Sequence, residues 1–169
     1  MSKSTPLTLV LGHAASGKSL WAEGEAERLG GPLTYVATAE GRDGEMHARI
    51  AAHAARRGPE WTLVEEPFDM VRACAGRTGS VLVDCATMWL TNLMLRDADW
   101  SAAAGAWTRA MADAPGRFVV VSNDVGGGVT PDNALARAFQ QAQGTLNQRL
   151  AAAADRVVLV TAGLPQRLK

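Results

Sequence analysis

The sequence predicts an α/β domain in which a mostly parallel sheet is covered by helices on both faces. Three observations carry that expectation. Apolar runs of strand length recur along the chain, and most are continuous rather than alternating, as in strands buried on both sides. Helix-length segments separate them, which is the pattern of right-handed βαβ crossovers. The first apolar run leads directly into GHAASGKS, residues 12–19, a complete Gly-x4-Gly-Lys-Ser loop set between a strand and a helix.

In chain order, the predicted strands are Leu7–Leu11, Leu33–Ala37, Trp61–Val64, Val81–Val83, Phe118–Val121 and Val157–Val160. The predicted helices are Lys18–Leu29, about Glu45–Arg57, Phe68–Ala75, about Thr87–Arg96, Trp100–Ala112 and about Asp132–Ala154. The 169 residues suit one domain with a sizeable core, residues 1–169, and neither a repeat nor a linker divides them.

Formal charge is zero, from 17 basic and 17 acidic residues, with no basic block to engage nucleic acid. Cys74 and Cys85 match no metal or disulfide spacing, and a reduced, buried thiol is the expectation for Cys85. The start of the chain superficially resembles a secretory signal, but the phosphate loop claims the same residues. No apolar segment reaches membrane-spanning length, so a cytoplasmic protein is expected.

The loop carries the first functional expectation. A strand ending in Gly12, His13, Ala14, Ala15, Ser16 and Gly17 aims backbone N–H groups and the positive end of the next helix at one point, where a polyphosphate binds without a cage of side chains. Lys18 reaches the β- and γ-phosphates as a point charge, and the Ser19 hydroxyl is a ligand of the accompanying Mg2+.

Ligands in such sheets collect at the carboxyl ends of the strands. There Asp84 closes Ser80-Val-Leu-Val-Asp84, either as a carboxylate holding Mg2+ through its waters or as a plain helix N-cap. After the next strand, Asn123-Asp124-Val125-Gly126-Gly127-Gly128 reads as a substrate loop or a mobile connection. It lacks the Asn-Lys-x-Asp pattern of guanine-reading switch GTPases.

The segment Asp43–Arg57 places Arg49, His53 and Arg56 or Arg57 along one helix side, with Met46 and Ile50 opposite. An imidazole there can attack phosphorus while guanidinium groups hold the phosphate, or the face is simply solvated, with His47 an equal competitor.

Together the strings TLVLGHAASGKSLWAE, TYVATAE, DGEMHARIAAHAARRGPEWTLVEEP, VLVDCATMWLTNL and VVVSNDVGGGVTPDNALARAFQQAQGTLNQRLAAAADRVVLVTAGLPQRLK resemble the bifunctional adenosylcobinamide kinase/adenosylcobinamide-phosphate guanylyltransferases, in order from about Leu7 to Lys169. The resemblance implies a P-loop NTPase fold of the RecA-like kind. It implies phosphorylation of adenosylcobinamide, then GMP transfer from GTP to adenosylcobinamide phosphate with release of pyrophosphate. It also implies GTP and ATP as substrates, and a homo-oligomer, a ring-like trimer.

Residue by residue, the resemblance makes His53 the GMP carrier, because it follows Glu-Met-x-x-Arg-Ile by two residues; His47 lies inside that motif and is not the match. It assigns Gly12 to Ser19, Ala37, Thr38 and Ala39, Ala54, Ala55, Arg56 and Arg57, and Glu65 and Asp84 to the nucleotide. Three departures stand out: Asp124, Gly127 and Asp132 replace a usual Glu, Met and Glu. They bear on the corrinoid more than on the nucleotide. A kinase with an inert His53, and a nucleotide-gated binding module, are the other readings compatible with the same loop.

Overall fold

The computed structural model describes residues 6–40, 48, 51, 52, 55 and 57–169. Its sheet has seven strands: β1 (Leu7–Gly12), β2 (Leu33–Ala37), β3 (Trp61–Glu65), β4 (Ser80–Asp84), β5 (Arg117–Asn123), β6 (Arg156–Thr161) and β7 (Leu164–Arg167). They lie in the order β3-β2-β4-β5-β1-β6-β7. The first six are parallel, and β7 pairs antiparallel with β6. The expected α/β architecture is therefore the one present.

Five helices are bounded within the described residues: α1 (Lys18–Leu29), α2 (Met70–Cys74), α3 (Ala86–Met94), α4 (Trp100–Asp113) and α5 (Ala134–Ala153). Strand alternation sorts the core into two faces. On one, Leu7, Leu9, Val81, Val83, Phe118 and Val120 pack against α2 to α5. On the other, Val10, Leu82, Val119, Val121 and Val158 pack against Ala22 and Ala26 of α1. Trp89 and Trp107 are fully buried with ring centroids 5.0 Å apart, so these two tryptophans belong to the core.

Two strands differ from the sequence expectation. β3 is an edge strand, half-buried at Trp61 and Val64 and exposed at Thr62, Leu63 and Glu65, rather than covered on both faces. β7 is additional. It is joined to β6 by Ala162 (φ 50°) and Gly163 (φ 77°), both left-handed, as a two-residue hairpin turn requires. Ala-Gly is not a usual signal for such a turn, and Pro165 demotes the run Leu-Pro-Gln-Arg as a strand except at an edge.

The predicted helix over 45–57 falls largely outside the described residues; Ala48, Ala51, Ala52 and Ala55 are helical and exposed. The last predicted helix begins two residues later than expected. Asn133 is its N-cap, accepting the Ala136 N–H at 2.7 Å.

Candidate functional site

The phosphate loop is shaped by contacts that only glycine allows. A Cβ on Gly12 would lie 2.4 Å from Ser16 Oγ and 2.7 Å from the Val160 carbonyl oxygen. Gly17 has φ 88° and backs onto Gly163, to whose Cα a Cβ would come within 3.0 Å. The Gly163 N–H donates to the Ser16 carbonyl at 2.8 Å, so the β6–β7 turn supports the loop from behind. Ala15 is also left-handed, at φ 57°. Helix α1 starts with Gly17 at its N-cap and no side chain capping it, the arrangement an anion completes. Ser16 Oγ is buried without a hydrogen-bond partner among the described residues.

Lys18 is 9 % exposed, and its Nζ donates to the His13 carbonyl at 2.9 Å. This holds the ammonium over the loop before any phosphate arrives. The segment after β5 closes the loop from the other side. The Asp124 N–H donates to the Gly12 carbonyl at 3.0 Å, and His13 Nδ1 lies 2.9 Å from the Asp124 carbonyl. Both ties run through the Asp124 backbone, so its shorter carboxylate leaves them intact. A Cβ on Gly127 would meet His13 Cε1 at 3.5 Å, an ordinary contact distance, so glycine leaves uncovered a spot that a longer side chain would cover.

Strand register assembles the rest. Gly12 is opposite Asn123, Asp84 opposite Val121, and Ala37 opposite both Asp84 and Glu65. Counting by twos from the core residues on the α1 face places Gly12, Ala37, Glu65, Asp84 and Asn123 all on that face, at the carboxyl ends of their strands. The phosphate loop opens there too. β5 separates the loop strand β1 from β4, so Asp84 is two strands away from Gly12.

Asp84 does not cap α3: the N-cap is Cys85, with no side-chain cap bond. Its Oδ2 instead accepts the Tyr35 hydroxyl at 2.8 Å. Burial, followed by the Asp84 charge, pushes the Tyr35 phenol far above its usual value, so it remains a donor. The same two causes push the neighbouring Cys85 thiol up to about 12, and burial does so for Cys74. Neither is a nucleophile near neutral pH.

Thr38 is fully buried, and its hydroxyl donates to the Cys85 carbonyl at 2.7 Å and accepts the Cys85 N–H at 2.8 Å. Asn92 Nδ2 holds the Thr38 carbonyl at 2.8 Å. Of the Ala37–Ala39 segment, therefore, the threonine side chain is already committed to fixing the β4–α3 turn. Glu65 is exposed at the sheet edge.

Glu66, beside it, is buried. It accepts the N–H groups of Phe68 and Asp69 at 3.1 and 3.0 Å and pairs with Arg72, which fastens the start of α2. Arg57 is stacked on the Tyr35 ring, its guanidinium carbon 3.4 Å from the centroid, and pairs with Glu23 at 3.6 Å. Ala55 is exposed on a helical turn; His53, Ala54 and Arg56, like His47, lie outside the described residues.

The donor set fits magnesium. Among the described residues no group of three or more His, Cys, Asp or Glu could hold a metal on its own. Ser19 and Asp84 supply a hydroxyl and a carboxylate, which suits an ion completed by nucleotide phosphates and water rather than by protein alone.

Sequence reasoning missed Tyr35, and named Asn123 only as the first residue of the loop after β5. Asn123 is half-buried, and its side-chain amide makes no hydrogen bond with another described residue. Its backbone is held by Thr87 Oγ1 and Asn147 Nδ2, at 2.8 and 3.0 Å. The signal available in the sequence was parity: each lies an even number of residues from a strand-end position on the α1 face.

A family model described as cobinamide kinase / cobinamide phosphate guanyltransferase matches residues 8–168. The bifunctional adenosylcobalamin biosynthesis protein CobP of Pseudomonas aeruginosa is 44% identical, the match covering 95% of this chain and 96% of that one. CobU of Salmonella typhimurium, which bears the same bifunctional description, is 36% identical, with 96% and 99% covered. Among solved structures, the flagellar accessory protein FlaH from Methanocaldococcus jannaschii aligns with a TM-score of 0.53 at 11% identity, covering 98% of this chain and 79% of that one. That last likeness is one of fold.

Proposed function

Since the chain belongs to the cobinamide kinase / cobinamide phosphate guanyltransferase family, we propose a division of labour among its residues for the family's two reactions. The protein is a bifunctional enzyme of cobalamin biosynthesis. It phosphorylates adenosylcobinamide, then transfers GMP from GTP to adenosylcobinamide phosphate, giving adenosylcobinamide-GDP and pyrophosphate. Both reactions use one domain, residues 1–169.

In the kinase step, backbone N–H groups of residues 12–19 and the start of α1 cradle the triphosphate, and Lys18 offsets charge on the transferring γ-phosphoryl group. Ser19 and Asp84 hold Mg2+, which when bound neutralises phosphate charge. Catalysis here is positioning and electrostatics. The observation that carries this is the Lys18 ammonium already seated on the His13 carbonyl above a loop only glycines can form.

In the guanylyl step, an imidazole nitrogen of His53 attacks the α-phosphorus of GTP. A P–N bond forms, the bond to the bridging oxygen breaks, and pyrophosphate leaves. The phosphate of adenosylcobinamide phosphate then takes the GMP and frees the imidazole. Arg56 is the guanidinium closest in sequence for the developing charge, with Glu65, Ala54 and Ala55 and the Ala37–Ala39 backbone around the nucleotide. Arg57 would have to leave its stack on Tyr35 to join them. We place the enzyme in the cytoplasm as a homotrimer, without nucleic-acid partners; among the described residues no helix is long and apolar enough to cross a membrane.

Incubation with GTP labelled at the α-phosphate tests this. Label is expected on denatured protein, labile in acid and comparatively stable in base, as a phosphoramidate is, and mapping to His53. The substitution His53→Ala is expected to lose the adduct and guanylyl transfer while adenosylcobinamide phosphorylation persists. Label retained in His53→Ala but lost in His47→Ala would move the nucleophile to His47, and no label at all would leave a kinase alone.

A further inference from the structure

Tyr35 sits two residues before the end of β2, on the α1 face, and its ring runs along the sheet toward the strand ends. Its hydroxyl donates to Asp84 Oδ2 at 2.8 Å across the β2–β4 pair. The ring itself is held. The Arg57 guanidinium lies 3.4 Å from its centroid on one face, and the Trp61 ring meets it edge-on, 78° away in plane at 6.3 Å.

Arg57 is in turn fixed by Glu23 of α1 at 3.6 Å, with side chains only 5 % and 6 % exposed. A buried phenol could have satisfied itself on any backbone carbonyl. Here it is spent on the carboxylate at the strand end, through a charge-assisted hydrogen bond that fixes which way the carboxylate faces.

We propose that Tyr35 is a positioning residue for the metal–nucleotide complex: its hydroxyl locks the orientation of Asp84, and Arg57, stacked on its ring, ties that orientation to the end of the segment that carries His53. Magnesium demands near-ideal octahedral geometry at short distances, so a carboxylate free to rotate serves it poorly, even through water. Partners that orient a metal's ligands commonly contribute 10- to 100-fold in affinity or activity. The Arg57 stack further implies that the guanylyl-transfer segment and the kinase-step carboxylate are set by one shared group. The inference rests on the reading of Asp84 as a magnesium-side carboxylate.

The test is Mn2+ binding, followed by its electron paramagnetic resonance signal, to the full chain saturated with the non-hydrolysable β,γ-imido analogue of GTP. Measurements are made well below the melting temperature of each variant, on wild type, Tyr35→Phe, Asp84→Asn, the double variant and Arg57→Lys. Tyr35→Phe is expected to weaken Mn2+ binding about tenfold or more. Asp84→Asn is expected to weaken it at least as much, with the double variant no weaker than Asp84→Asn alone, since both act through one carboxylate.

Arg57→Lys keeps a cation near Glu23 but loses the planar stack, and is expected to shift binding the same way by a smaller factor. Unchanged binding in Tyr35→Phe, with Asp84→Asn weakened, overturns the positioning role and leaves Asp84 its metal role. Unchanged binding in Asp84→Asn overturns the assignment of Asp84 itself, and the positioning role falls with it. Wild-type binding in Arg57→Lys removes Arg57 from the arrangement.

Discussion

Lys18 and Gly12 divide the work of the phosphate loop between charge and shape, and they fail differently. Lys18→Ala removes the one side-chain ammonium of the loop, and kcat of the kinase step is expected to fall by about 10²–10³. GTP affinity, measured by calorimetry, should fall much less, because the backbone cradle remains. Gly12→Ala instead drives a methyl group into Ser16 Oγ and the Val160 carbonyl. The loop must deform, so nucleotide binding itself is expected to be lost, with destabilisation of about 1–3 kcal/mol by thermal or denaturant unfolding. These two residues were legible in the sequence because the motif fixes type and spacing together. Tyr35 was not: parity puts it on the same face as Ala37 but does not say what its hydroxyl meets, and its partner is 49 residues away. Glu65 and Glu66 show the same limit. Adjacent glutamates look alike in sequence, and only the fold exposes one at the edge and buries the other under α2.

At the scale of elements, α1 was legible to the residue, since glycine precedes Lys18 and Gly30 follows Leu29 with a positive φ of 75° that favours glycine. Within it Gly24 is exposed, and a Cβ there would meet nothing within 4 Å. Gly24→Ala is therefore expected to raise stability by about 0.5–1 kcal/mol, read as a higher urea midpoint with unchanged slope. Helix α2 is the opposite case. Its five residues are too few to be stable alone and depend on Glu66, which bonds the Phe68 and Asp69 N–H groups, and on Asp69, which caps Arg72. Glu66→Ala leaves those part-buried donors without their buried acceptor and Arg72 without its partner, and is expected to cost about 1–3 kcal/mol. β7 escaped the sequence because its pairing is decided by a turn whose second residue alone is glycine, and by the long-range partner β6 rather than by its own propensity.

Across the whole molecule, two buried carboxylates make stability depend on acid. Arg28's hydrogen bond, with Arg156 adding its charge, outweighs burial and lowers Glu25. Burial alone would raise Glu66, but the Asp69 and Phe68 N–H groups and Arg72 outweigh it and lower it too. Both folded values lie below the ordinary 4.5, so the unfolded chain takes up these protons first. Their contribution is complete above about that pH and is lost as pH falls through the folded values. Thermal melts should show the midpoint dropping below about pH 4.5, with a shallower drop in a Glu25→Gln/Glu66→Gln double variant that is already weaker at neutrality. The strand order has a further consequence, for biogenesis. His13 and Asp124, which touch across the mouth of the loop, are 111 positions apart, and β1 finds its neighbours only in β5 and β6. A nascent chain emerging from the ribosome therefore displays its complete phosphate-binding motif long before it owns a phosphate-binding pocket. Nucleotide capture by ribosome-bound intermediates of increasing length would time the arrival of β5 and β6, and a ligand present in the cell can select only chains in which both strands have already been made.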